Sequence, residues 1–210
     1  MRSLLLALPL LVACAEDVAK DKTAAVVSEP AAAPAPAAAP AAAPAGTALA
    51  VDKAKSKINA LGAKITGKHD IGFPDFDAKL RVEGENVAGV EFTVQVASAA
   101  SEPEKFVSHL KGPDFLDVEK FPTATFTSTE VKAAPGENGA THEVSGDFTL
   151  RGVTKRVTFP ATLAVTPTEV TGRTEFSINR KDFGVVYAGK PDDLIQENVV
   201  LTIELAAPRS

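Results

Sequence analysis

Cys14 is the only thiol in the 210-residue chain, and His69, His109 and His142 are the only imidazoles. One cysteine cannot form an internal disulfide. The histidines lack close ligand spacing such as HxH or HExxH, so no metal site is expected. There is no G-x-S-x-G elbow, and no serine and histidine are spaced as triad members. "PDD" at 191–193 reads as a turn. "NRKDFG" at 179–184 contains the letters of a kinase DFG, but no other kinase element accompanies it. It reads instead as a bend marked by Asn179 and Gly184, with Arg180 and Asp182 available to pair, either as a polar clamp at the barrel end or as a ligand-head contact. No catalytic residue, enzymatic activity or cofactor is expected.

The chemistry that remains is apolar. "FLDVEKFPTATFTST" at 115–129 sets Phe115, Phe121 and Phe126 among charges and threonines, with no single helical or strand period joining them. The chain has 11 Phe, one Tyr and no Trp. Such dispersed side chains either fill a core or line a tube for a long apolar ligand. The candidate lining residues are Phe92, Val94, Phe106, Leu110, Phe115, Leu116, Phe121, Phe126, Phe148, Leu150, Phe159, Phe176, Ile178 and Phe183. Around them, His69 in "GKHD" reads as solvated or as a head-group contact, and His109 as a partner of a helix C-terminus. Arg151 and Lys155 in "LRGVTK" read as solvated or as a cationic rim for a phosphate head group, on a hairpin turn where Gly152 permits positive φ.

The elements that must position these residues are mostly strands. "VEFTVQV" puts Val90, Phe92, Val94 and Val96 on one side, and "VVLTIEL" does the same for Val199, Leu201, Ile203 and Leu205. Eight strands are expected, near 57–65, 76–82, 88–98, 123–132, 142–150, 155–166, 168–178 and 197–207, with Gly, Asn and Pro turns between them. One helix is expected in "SEPEKFVSHLKGP", between strands 3 and 4. Ser101 and Glu104 would form a capping box, and Gly112-Pro113 would stop the helix. Eight antiparallel strands with one helix must close or stack to hide their edges. The predicted class is all-β, and an eight-stranded antiparallel barrel would be wide enough to be filled or to hold one small ligand. A membrane-spanning barrel would need aromatic girdles that this composition lacks.

The net charge of −5, without a basic block, gives no footprint for nucleic acid. "MRSLLLALPLLVA" at 1–13 reads as an export signal, too short for a transmembrane helix of about 20 residues. "LVAC" at 11–14 resembles the bacterial lipobox. That resemblance implies a lipid-modified Cys14 anchoring the protein on the periplasmic side of a membrane, with Ala15 favouring the outer over the inner one. Residues 14–46 are expected to be anchor and linker. Within them 30–46 holds five prolines and eleven alanines, a semi-extended run of roughly 50 Å that would let the domain stand off the membrane. Residues 47–210 would form the barrel domain.

Three blocks, "HLKGPDFLDVEKFPTATFTST" (109–129), "GDFTLRGVTKRVTFP" (146–160) and "FSINRKDFGV" (176–185), resemble the YceI-like family in order and spacing. "GAKITGKHDIGF" (62–73) and "YAGKPDDLIQENV" (187–199) resemble one branch of it. The resemblance spans about 51–205. It implies an exported, lipocalin-like barrel that holds a polyisoprenoid, an isoprenoid quinone or a fatty-acid derivative, with homodimers among similar proteins. One departure concerns the wall: where the family has two phenylalanines before "DV", this chain has Phe115-Leu116. The alternative to a lipid carrier is a protein-interaction module with a filled barrel.

Overall fold

A computed structural model describes residues 17–30 and 46–209. The export signal, Cys14 and most of the Ala/Pro run lie outside the described residues. In chain order the elements are β1 (Val26–Ser28), β2 (Thr47–Ala50), β3 (Lys57–Lys64), β4 (Gly67–Gly72), β5 (Phe76–Glu83), β6 (Asn86–Gln95), α1 (Glu104–Lys111), β7 (Thr123–Ala133), β8 (His142–Leu150), β9 (Val153–Val165), β10 (Glu169–Asn179), β11 (Gly189–Lys190), β12 (Asp193–Leu194) and β13 (Asn198–Pro208). The eight expected strands are β3, β5, β6, β7, β8, β9, β10 and β13, and α1 falls between β6 and β7 as expected.

The named strand pairs are antiparallel, and the main sheet runs β2-β5-β6-β7-β8-β9-β10-β13-β3-β4. The sheet curls until its two arms meet. At one end the Asp52 amide donates to the Ala206 carbonyl of β13 at 2.7 Å. At the other, Gly72 and Ala100 exchange backbone hydrogen bonds of 2.9 Å in each direction. Alternation does the sorting. In β5, Phe76, Ala78, Leu80 and Val82 are buried, and the residues between them face outward.

The curl leaves one gap, and the chain's own N-terminal part closes it. β9 pairs with β8 from Val153 to Ala161, but with β10 only from Thr162 to Val165. Residues 23–28 enter the split between them. β1 pairs with Arg156, Val157 and Thr158. On the other side, the Ala25 amide donates to the Ser177 carbonyl at 2.8 Å, and the Ser177 amide to the Thr23 carbonyl at 3.0 Å. Ala25 and Val27 pack against the main core. Lys22–Glu175 and Lys155–Glu29 ion pairs flank the segment, so Lys155 is paired where solvation was one reading. Upstream, Val18 is buried against Ala63 and Val200. This differs from a tether running through 14–46: residues 23–28 pair into the barrel wall and Val18 packs on it. The Ala/Pro run is therefore held at both ends, by β1 on one side and by β2 against β5 on the other. A run fixed at both ends cannot set how far the barrel stands from a membrane.

Two local expectations are corrected. α1 begins at Glu104 with Pro103 as its N-cap and no side-chain cap, so Ser101 lies outside the helix and makes no capping box. Arg151 is half-buried and paired, where solvation was one reading. Its guanidinium donates to the Gly184 carbonyl and, at 2.7 Å, to the Pro113 carbonyl, tying the β8–β9 turn to two loops. That turn carries left-handed residues at Arg151 and Gly152 (φ 51 and 73), as the glycine suggested.

Candidate functional site

The barrel interior is divided by depth. Across β6, β7 and β8 the register sets Phe92 beside Phe126 and Phe126 beside Phe148. Phe92 and Phe126 stack with centroids 5.3 Å apart, Phe126 meets Phe159 at 5.5 Å, and Phe159 lies flat on Phe176 at 4.2 Å. Gly146 makes room for this plate: a Cβ there would sit 2.5 Å from the Phe126 ring. On the far side Leu80, Val144 and Val170 are sealed from solvent, leaving a void of only about 30 Å³. That leaves room for no more than a few waters.

On the near side of the phenylalanine plate the barrel is hollow. A cavity of about 620 Å³ opens at the end where β3, β6, β8 and β10 finish and β7 and β13 begin. This lies within the range of small-molecule sites. Its walls take alternate residues from each strand: Ile58 and Ala60, Val94 and Val96, Ala124, Phe148 and Leu150, Ile178, and Val199, Leu201 and Ile203. Phe92 contributes to the floor. Phe106 and Leu110 of α1 form one side of the mouth, and Phe115, Leu116, Val185, Tyr187 and Ile195 form the rest. From Ile58 to Lys64 the β3 wall spans roughly 20 Å.

Of the candidates read from the sequence, Phe92, Val94, Phe106, Leu110, Phe115, Leu116, Phe148, Leu150 and Ile178 reach this cavity. Phe121, Phe126, Phe159, Phe176 and Phe183 do not. Phe126, Phe159 and Phe176 form the plate beneath it. Phe183 is fully buried edge-on to Phe148 at 5.2 Å, and Phe121 packs over Gly152. Sequence reasoning left Tyr187, Ile195, Ile71 and the β13 side chains out of the site. Val199, Leu201 and Ile203 had already been placed on one strand face, so that signal was available.

Polar groups gather at the mouth: Lys64, His69, Lys105, His109, Lys190 and Asp193. His69 stacks on Phe106 with centroids 3.9 Å apart, making it part of the wall where solvation was favoured. His109 pairs with Asp114 at 3.0 Å and meets Phe115 and Tyr187 edge-on, so its partner is a loop carboxylate beyond the helix. The short β11–β12 hairpin is fastened by Asp193, which accepts from Lys64 and from the Thr66 amide and hydroxyl. These bonds, led by that of Lys64, hold its carboxyl below the usual range.

Arg180 is the clamp of the mouth, and it does not pair with Asp182. It is buried and donates to the carbonyls of Val185, Gln196 (2.9 Å) and Ile195 (3.3 Å), stitching together both ends of the 185–196 segment. Burial pushes its guanidinium pKa down, and Glu197 nearby partly opposes this. Asn179 caps the turn that presents it, and Gly184 closes that turn at φ 74. The arrangement offers apolar enclosure with polar groups at one end.

Comparison with known proteins agrees with this architecture. A UPF0312 protein of Pseudomonas aeruginosa is 42% identical over 93 residues, 43% of this chain and 47% of that protein. Protein YceI of Escherichia coli O157:H7 is 40% identical over the same length. The chain thus spans about half the length of these curated relatives. Among solved structures, Burkholderia cenocepacia BcnA superposes with a TM-score of 0.65 at 26% identity, covering 75% of this chain and 99% of BcnA. A polyisoprenoid-binding domain from Saccharophagus degradans superposes with a TM-score of 0.61, covering 77% and 98%, and at 14% identity it speaks for the fold alone. Residues 49–207 match the YceI-like domain, and a match over that much of the chain, on this curled antiparallel barrel, makes the protein a member of the YceI-like family.

Proposed function

We propose that the protein is a non-enzymatic carrier that buries one long apolar chain, such as a polyisoprenoid, an isoprenoid quinone or a fatty-acid derivative, in its barrel. The observation that carries this reading is the 620 Å³ hollow with aliphatic and aromatic walls and polar groups confined to its mouth. Each methylene taken from water contributes about 0.8 kcal/mol, so a tail need enter only partway to be held. The Saccharophagus domain of the same fold, described as polyisoprenoid-binding, supports the ligand class. In the same reading Cys14 is lipid-modified, and the protein stays on the periplasmic side of a bacterial membrane.

The test is native mass spectrometry of the purified protein, before and after lipid extraction and after incubation with a polyprenol or an isoprenoid quinone. One ligand per barrel is expected. A chain that copurifies with no lipid and takes up neither probe would refute the carrier reading. An unmodified thiol on Cys14 in the mature protein would refute the anchor.

A further inference from the structure

Four large apolar side chains stand out as exposed among the described residues: Ile65, Val186, Leu194 and Val26. Three of them, Ile65, Val186 and Leu194, are next in sequence to residues that line the cavity: Lys64, Val185 and Tyr187, and Asp193 and Ile195. Ile65 is in the β3–β4 turn, and its amide donates to the Leu194 carbonyl at 3.1 Å. Val186 lies between Val185 and Tyr187, which line the cavity. Ile65 and Leu194 are each about half exposed and Val186 is 64% exposed, the last directly after buried Val185. All three side chains are thus exposed on segments that border the cavity mouth. Clustered exposed apolar side chains mark a surface that meets another apolar phase. The exposed charges on the segments that frame the mouth are of both signs, among them Lys68, Lys105, Lys190 and Asp192. Apolar insertion therefore leads here, and attraction to anionic lipid is secondary.

A second observation concerns where the chain leaves the barrel. Val18 is buried against Ala63 near the end of β3 and Val200 at the start of β13, and its amide donates to the Gln196 side chain at 3.1 Å. Ala63 is one residue from Lys64 at the mouth, and Gln196 follows Ile195 of the cavity wall. Three residue steps separate Asp17 from Cys14, a reach of about 10 Å. An anchor on Cys14 would thus hold this end of the barrel against the bilayer, and leave the opposite end, with the β9–β10 turn, pointing away.

We propose that the rim of Ile65, Val186 and Leu194 rests in the surface of a lipid bilayer, so that the cavity opens directly onto the membrane. Ligand exchange would then avoid water: the apolar tail passes from acyl chains into the barrel through a mouth whose edge is itself apolar. The purpose of this orientation rests on the reading of the cavity as a lipid site. The contact itself does not.

The experiment uses the mature chain carrying Cys14→Ser, so that binding does not depend on acylation. It is labelled with bimane at Leu194→Cys or, at the far end, at Thr168→Cys. Vesicles of phosphatidylethanolamine and phosphatidylglycerol containing nitroxide-labelled lipid are added. Quenching at 194 and none at 168 is expected, and Ile65→Asp with Val186→Asp should lower the vesicle-bound fraction about tenfold. Equal quenching at both ends, no quenching at either, or binding indifferent to the aspartates overturns the proposal. Polyprenol uptake from detergent micelles, measured on the same variants, separates the two readings. If the unsubstituted chain takes up no polyprenol, the carrier reading fails, while the rim is still judged on quenching alone.

Discussion

Replacing Arg180 with methionine tests whether one buried cation holds the cavity mouth together. Methionine is flexible and unbranched, so it can follow the arginine stem while removing every donor. The carbonyls of Val185, Ile195 and Gln196 then lose their guanidinium bonds. A hydrogen bond from a charged donor contributes about 1.5–3 kcal/mol net. The three bonds share one side chain, so they do not simply add. Relief of the burial that depresses the guanidinium pKa offsets part of the loss. A net destabilisation of about 3 kcal/mol follows, or a fall in Tm of roughly 6–12 °C for a domain of this size. The effect should be local first: amide hydrogen exchange across 185–196 should quicken before the β-strands respond. Arg180→Lys should fall between, because one ammonium cannot span carbonyls at both ends of the segment. Differential scanning calorimetry and exchange mass spectrometry read both outcomes. If Arg180→Met melts within about 2 °C of the parent with unchanged exchange at 185–196, the clamp argument is wrong.

Other consequences are as direct. Ala60→Phe, which projects a ring from the β3 wall into the hollow, should abolish uptake of a polyprenol while leaving Tm nearly unchanged; uptake at the parental level would show that the ligand sits elsewhere. Phe126→Ala removes the centre of the phenylalanine plate and should cost about 3–5 kcal/mol in urea unfolding, with a smaller loss meaning that the plate collapses to fill the space. Asp193 links the mouth to pH. A carboxyl held below its ordinary 3.8 stabilises the hairpin fully above that value, and the contribution fades as pH falls through the lowered folded-state value. The emission of Tyr187, the only tyrosine in a chain without tryptophan, should therefore change below about pH 4 in the parent. Glu197 titrates low as well, held by Lys181 and Asn179, so Asp193→Asn is the control. It should show the released signal already at neutral pH, and an acid transition identical in both proteins would assign the effect to Glu197.

The long strands were legible because each alternates over enough residues to show which face is buried, as in "VEFTVQV" and "VVLTIEL". β4 was not, because "GKHDIG" is short, charged and framed by glycines, and of its side chains only Ile71 is fully buried. β1 was less visible still. Three residues, Val26–Ser28, become a strand because β9 and β10 part company in space, and no local pattern encodes that split. Alternation also says whether a phenylalanine points inward, but not how far along the barrel axis it lies. Phe92 and Phe126 are equivalent by period, yet Phe92 meets the cavity and Phe126 lies in the plate beneath it. The mouth was hardest to read, because Tyr187, Ile195 and Arg180 belong to turns and short segments whose positions depend on long-range contacts.

The strand supplied by residues 23–28 changes what a protease would accomplish. A cut within the Ala/Pro run would sever the backbone between two pieces that remain zipped side by side through the β1–β9 ladder, the Ser177 bonds and the seating of Val18. The nicked molecule would behave as a complemented pair, like a zip-fastened collar on a sleeve, and separation of the two pieces would wait for the short peptide to peel off.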